Sequence, residues 1–139
     1  MGRLLAIDYG TKRTGIAVTD VLQIVPGGLT TVATAQLTDF LADYFRKEPV
    51  DKIIVGLPKN MDGADSASMK FVRPFAEKLQ AAYPEKEVVM YDERFTSVLA
   101  HQAILDAGIR KMARRNKALV DEVSATIILQ SYMDSKNRK

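Results

Sequence analysis

"LLAIDYGTKRTGIAV", residues 4–18, decides the fold. Leu4 to Ile7 are apolar without a break, the mark of a strand buried on both faces. The run ends on Asp8. Gly10 then opens a turn, where glycine suits a positive φ, and the basic pair Lys12 and Arg13 follows. Apolar residues resume at Gly15–Val18, so the first two strands read as a hairpin. A core strand that stops on a carboxylate, beside two cations, raises the question of what that carboxylate holds.

Outward from this hairpin the pattern alternates. A third strand is expected near Leu29–Ala33, after the turn signal Pro26-Gly27-Gly28. In residues 34–48, Leu37, Phe40, Leu41, Tyr44 and Phe45 fall on one helical stripe, which Pro49 ends. Residues 52–58 read as a fourth strand and 59–66 as a loop. The next helix runs to about Tyr83, with Val72, Phe75, Ala76 and Leu79 on one face. Pro74 should kink it or start its regular part. A fifth strand ends at Asp92, and a helix over 96–108 is capped by Thr96 or Ser97 and stopped by Gly108. The last helix spans about Leu119 to Met133. The order predicts a mixed five-stranded α/β sheet flanked by helices. Its first three strands are antiparallel, and two more, reached by helical crossovers, run parallel to the first.

The 139 residues suit one domain. Cysteine is absent, which removes thiol chemistry, zinc–thiolate sites and disulfides and suits a reducing cytoplasm. The early apolar run is interrupted by Asp8 and Lys12, unlike a signal peptide, and no apolar stretch approaches the ~20 residues of a membrane span. Net charge is only +3, but its distribution is uneven. Residues 110–117, "RKMARRNK", hold five basic residues and no acid, and the tail 135–139 holds three more. Such clusters favour polyanions, although a solvated loop and a frayed tail would look the same.

In open α/β sheets, sites form beyond the carboxyl ends of the strands. Asp8 ends the first strand and Glu93 follows the fifth, so parallel strands would bring both to one edge. Asp121 opens the last helix, with the small Ser124 and Ala125 one turn on, which lets the helix approach the sheet. Carboxylates ~4 Å apart repel by about 4 kcal/mol at an effective dielectric of 20. A divalent cation removes that penalty, and an all-oxygen donor set suits Mg²⁺ or Mn²⁺. Paired metals activate water and stabilise the leaving oxygen of a phosphodiester. Lys12, Arg13, Arg94, Arg110, Lys111, Arg114 and Arg115 would then hold a nucleic acid. Each acid alone also has a structural explanation: a side-chain turn for Asp8, helix N-termini for Glu93 and Asp121.

"LLAIDYGTKRTGIAVTD", "KIIVGLPKNMDG", "VVMYDERFTS" and "VDEVSATIILQSYMD" together resemble the signature blocks of the YqgF/RuvX family, small bacterial nucleases similar to Holliday junction resolvases. The resemblance covers nearly the whole chain. It implies an RNase H-like fold, catalytic acids at Asp8, Glu93 and Asp121, and trimming of precursor 16S ribosomal RNA, with ribosomal precursor particles as partners. Lys59 and Ser124 depart from the family pattern, which bears on substrate detail. His101, inside a helix, reads as structural. Asn60 and Asp62 read as a shaped turn, and Tyr9 either packs on the sheet or stacks on a base. Three readings compete with the RNA nuclease. One is a DNA junction resolvase, which needs two coordinated sites and so a homodimer rather than a monomer. Another is a non-catalytic nucleic-acid-binding module. The last is an actin-like or sugar-kinase-like phosphate loop, for which the chain has room for only one of the two domains needed.

Overall fold

The computed structural model describes residues 2–57, 69–92 and 117–137. The elements are β1 (Arg3–Asp8), β2 (Arg13–Thr19), β3 (Pro26–Ala33), a 3-10 turn (Thr34–Gln36), α1 (Leu37–Lys47), β4 (Val50–Leu57), α2 (Met69–Ala82), β5 (Glu87–Asp92) and α3 (Lys117–Asn137). The strands form one sheet in the order β3-β2-β1-β4-β5. β1 pairs antiparallel with β2, and β2 with β3. β1 pairs parallel with β4, and β4 with β5. This is the mixed sheet expected of an RNase H-like fold. The expected helix over 96–108, with His101, lies outside the described residues, as does the loop 59–66 with Lys59, Asn60 and Asp62.

Alternation along the strands sorts the core into two layers. Leu5 and Ile7 of β1, Ile16 of β2 and Ile53 and Val55 of β4 face α1 and α2, where Leu37, Leu41, Val72, Ala76 and Leu79 close over them. Leu4, Ala6, Ala17 and Ile54 face α3 and meet Ala125, Ile128, Leu129, Tyr132 and Met133. Each large side chain so buried contributes about 1.5–3 kcal/mol. The stripe read on α1 holds: Leu37 and Leu41 are buried, with Phe40, Tyr44 and Phe45 packed half-buried beside them. Among the described residues, no helix is long and apolar enough to cross a membrane.

Four local expectations need correction. β3 begins at Pro26, so Pro26-Gly27-Gly28 is strand rather than turn. An edge strand tolerates a proline at its first position, and a register shift opposite Ile16 and Ala17 takes up the extra residue. The reversal lies earlier, at Asp20, whose carboxylate accepts the N–H groups of Leu22, Ile24 and Val25 at 3.2, 2.9 and 2.9 Å. Gln23 adopts φ 58° within it. Gly10 is needed for close approach rather than for positive φ: a Cβ there would collide with the Arg13 carbonyl oxygen. Pro74 lies inside α2 after its first turn, so it does not start the helix. Its ring nitrogen cannot donate to the Lys70 carbonyl, the local cause of the kink expected there. Finally, α3 takes in Lys117 and runs to Asn137, so helix replaces one residue of the expected basic loop and three of the expected tail. No glycine or proline interrupts it, and Ser135 Oγ donates to the Tyr132 carbonyl at 2.8 Å.

Candidate active site

β1, β3, β4 and β5 all run in one direction, so their carboxyl ends share an edge of the sheet. Asp8 stands at that edge, half-buried at the end of a fully buried run. On β1, residues 4 and 6 face α3, and Asp8 is the next residue of that alternation. Its partner in register on β2 is Gly15. On β4, Val55 pairs with Ile7 and Gly56 is next in line. Glycine therefore flanks Asp8 on both neighbouring strands, and neither neighbour projects a side chain beside the carboxylate.

α3 covers this face. Leu4, at the start of β1, lines a cleft with Tyr132, Met133 and Lys136 from the end of α3. The helix therefore runs opposite to β1, and its first turns lie towards the Asp8 edge. From Tyr132 back to Asp121 the helix axis advances about 17 Å. From Leu4 to Asp8 the strand advances about 13 Å. Position 121 thus falls near the level of Asp8 or just beyond it. The approach is close because the packed surfaces are small: Ala6, Ala17 and Ala125 are all fully buried. β5 ends at Asp92, in register with Leu57, and Glu93 is the next residue in sequence. Val89 and Tyr91 pack on the α3 side.

Of the acids expected in the site, Asp8 is described with its side chain and Asp121 by its backbone; Glu93 lies outside the described residues. Arg94, Arg110, Lys111, Arg114 and Arg115 also lie outside them. Lys12 and Arg13 are exposed on the β1–β2 turn at the same edge. Among the described residues no cluster of three metal-binding side chains occurs.

Sequence reasoning missed the residues that hold this turn. Thr14, fully buried, accepts from the Gly10 N–H at 3.5 Å, and its hydroxyl lies 2.9 Å from the Thr34 hydroxyl. Thr34 Oγ1 donates to the Gly10 carbonyl, and the Thr34 N–H donates to the Lys12 carbonyl at 3.0 Å. The loop that carries the cations next to Asp8 is therefore tied to the end of β3. Threonines twenty residues apart leave no periodic signal; the sequence shows only that Thr14 stands between the Lys12-Arg13 pair and an apolar strand. Tyr9 is half-buried, its ring centroid 4.8 Å from that of Phe75.

The chain matches the family model described as RuvX, Holliday junction resolvase, over residues 2–135. It is 61% identical over 138 residues to a protein of Porphyromonas gingivalis named "Putative pre-16S rRNA nuclease", covering 99% of this chain and 100% of the relative. A protein of the same name from Phocaeicola vulgatus is 62% identical over 136 residues, 98% of each chain. A solved structure, YeaZ from Pseudomonas aeruginosa, aligns with 78% of this chain and 50% of its own at 18% identity and a TM-score of 0.45, a likeness too loose to carry argument. Sheet order, the Asp8 edge and the match along nearly the whole length agree: the chain belongs to the RuvX Holliday junction resolvase family.

Proposed function

We propose that this chain is a metal-dependent nuclease that hydrolyses phosphodiester bonds in the precursor of 16S ribosomal RNA, during ribosome assembly in the cytoplasm. The observation that carries the reading is the setting of Asp8: a carboxylate at the shared strand edge, flanked by Gly15 and Gly56 and facing the helix that bears Asp121. The relatives' shared name supplies the substrate.

In this reading Asp8, Glu93 and Asp121 form an all-oxygen donor set that fits Mg²⁺ or Mn²⁺. The described part of the site supports such an ion by its donor chemistry: Asp8 offers carboxylate oxygens, with Gly15 in register on one neighbouring strand and Gly56 next in line on the other. A bound cation supplies an activated water and neutralises charge on the leaving oxygen. The chain itself provides position. Lys12 and Arg13, on a turn fixed by Thr14 and Thr34, hold phosphates at the edge, and Arg94, Arg110, Lys111, Arg114 and Arg115 extend that hold along the substrate.

The test is cleavage of a precursor 16S RNA fragment with Mg²⁺ or Mn²⁺ by wild type and by Asp8→Asn. A metal ligand matters at least as much as its supporting hydrogen bonds, so cleavage should fall by about a hundredfold or more while the fold is retained. A folded Asp8→Asn protein that cleaves at the wild-type rate overturns the reading. The second reading, a resolvase of branched DNA, is favoured by the family's description. It requires a homodimer with two coordinated sites, and paired symmetric nicks in a synthetic four-way junction would select it over the RNA substrate.

A further inference from the structure

The cleft on the other face of the same edge has no role in holding the acids. It measures about 250 Å³ and is lined by Tyr9, Thr34, Leu37, Thr38, Phe71, Pro74, Phe75 and Lys78. Its walls are the first turns of α1 and α2, which begin at the edge where β3 and β4 end. Tyr9 and Phe75 form one aromatic wall, with centroids 4.8 Å apart and planes 33° apart. Phe71 stands opposite the rule for aromatic side chains: it is 45% exposed on the first turns of a helix whose buried stripe is Val72, Ala76 and Leu79. The Lys70 ammonium sits 5.2 Å from the Phe71 ring centroid. Lys70, Arg73 and Lys78 outnumber Glu77 on this stretch of α2, so the surroundings of the cleft are net positive.

We propose that this cleft binds an unpaired nucleobase of the substrate, next to the phosphate that Lys12 and Arg13 hold at the Asp8 edge. The proposal rests on the nuclease reading for which strand is bound, and it deepens that reading by naming single-stranded nucleic acid as the preferred form. Three features select a base over another occupant. The volume is smaller than the ~300–1,000 Å³ of a typical small-molecule site and suits one planar ring system. Aromatic faces stack bases of any identity. Cations beside an aromatic platform attract the phosphates on either side of a stacked base. The Thr38 side chain, exposed at the mouth, offers a hydroxyl to a base edge. Consecutive residues of an extended strand point to opposite faces. Asp8 and Tyr9 therefore lie on opposite sides of one sheet edge, and a strand crossing that edge meets the reacting site on one side and the base cleft on the other. A base-paired strand cannot place its base in the cleft without unpairing.

The probe is a short single-stranded oligoribonucleotide carrying 2-aminopurine, whose fluorescence is quenched on stacking. Titration into Asp8→Asn protein measures binding without cleavage. Quenching is expected on binding, and Phe71→Ala in that background should weaken binding roughly 5- to 150-fold and abolish the quench. Phe71→Trp should restore both, which a merely structural role would not require. A fully duplex probe of the same sequence should bind without quenching and be indifferent to Phe71. If Phe71→Ala, folded as judged by its unfolding transition, binds and quenches like its parent, the cleft is not a base site. The two readings fail separately. Undiminished cleavage by Asp8→Asn with a Phe71-dependent quench removes the assigned chemistry and leaves the base site. Asp8-dependent cleavage with a quench insensitive to Phe71 does the reverse.

Discussion

The two faces of the sheet share their strands but not their packing. Towards α1 and α2 the strands present Leu5, Ile7, Ile16, Ile53 and Val55, bulky and branched. Towards α3 they present Leu4, Ala6, Ala17 and Ile54, and the helix answers with Ala125 nearer the Asp8 edge and with Ile128, Leu129, Tyr132 and Met133 further along. The first face carries most of the large buried side chains and hence most of the hydrophobic stabilisation. The second gives up part of that area and gains a close approach between helix and sheet. Asp8 lies on the second face, and so does the helix that bears Asp121. Bulk holds the molecule together on one side; small residues set a distance on the other.

The largest effect should come from breaking the bulky face. Ile53 is fully buried between β1 and the helices, and Ile53→Ala should cost about 2–5 kcal/mol, through lost transfer energy and the cavity left behind. Urea denaturation measures it. The RNA cleavage rate per folded molecule should stay near wild type, because no element at the Asp8 edge depends on that methyl-rich contact. A rate that falls in step with stability would mean that the two faces are not separable.

Ala125→Leu tests the other face and should invert the pattern. Ala125 is fully buried, four residues from Asp121. A larger side chain there overpacks the contact and costs about 1–3 kcal/mol. The cleavage rate should drop further than stability does, since the helix must lift from Ala6 and Ala17 and take position 121 with it. Misplacement of about 1 Å can cost a hundredfold in rate. Normal cleavage by a folded Ala125→Leu protein would show that helix-to-sheet distance is not what the alanines secure.

Thr34→Val should have a smaller effect and one confined to the turn. It removes the hydroxyl that joins Thr14 to the Gly10 carbonyl while keeping the side chain's shape. The net loss of such a hydrogen bond is about 1 kcal/mol. The diagnostic outcome is in binding: the Lys12 and Arg13 loop loosens, so the affinity for RNA falls and its salt dependence becomes shallower. Unchanged salt dependence would make the threonine clamp a matter of stability alone.

The layered sheet could be read from the chain because apolar runs and helical stripes are local patterns. Leu4 to Ile7 announces a strand buried on both sides, and Leu37, Leu41 and Tyr44 announce a helix with one buried face. The edge at which Asp8 ends β1, shared with the ends of β4 and β5, followed from strand direction alone, which the crossovers dictate. What escaped was set by contacts between residues distant in sequence or by the tolerance of an edge. Pro26 and Gly27 look like a turn, yet an outer strand needs hydrogen bonds on one side only and accommodates them. Gly10 looks like a positive-φ residue, but the Arg13 carbonyl, three residues on, is what requires it. The Thr14–Thr34 pair has no spacing rule to reveal it. Phe71 was invisible as a surface aromatic, because the helical stripe explains its neighbour Val72 and says nothing about the opposite side.

The smallest effect belongs at the far end of the sheet, where a carboxylate has a purely structural task. Asp20 accepts three backbone N–H groups in the β2–β3 reversal. Those bonds, chiefly from Val25 and Ile24, hold its pKa below the ordinary carboxylate value. A group depressed in this way contributes stability above its unfolded pKa and loses it as pH falls through the lowered folded value. Asp20→Asn retains one acceptor oxygen but no charge. Its deficit against wild type should therefore be present at neutral pH and shrink as the solution is acidified below the ordinary aspartate pKa. Urea midpoints at several pH values measure this. Because Asp20 is only half-buried at the surface, water screens the bonds and the shift in midpoint is modest. Cleavage should not change, since the reversal joins β2 to β3 at the end of the sheet away from Asp8. A pH-independent deficit would show that geometry rather than charge makes the aspartate useful there. A loss of cleavage would mean that the two ends of the hairpin are mechanically linked, so that the α3 face is set by the whole length of β2 and not by its alanine contacts alone.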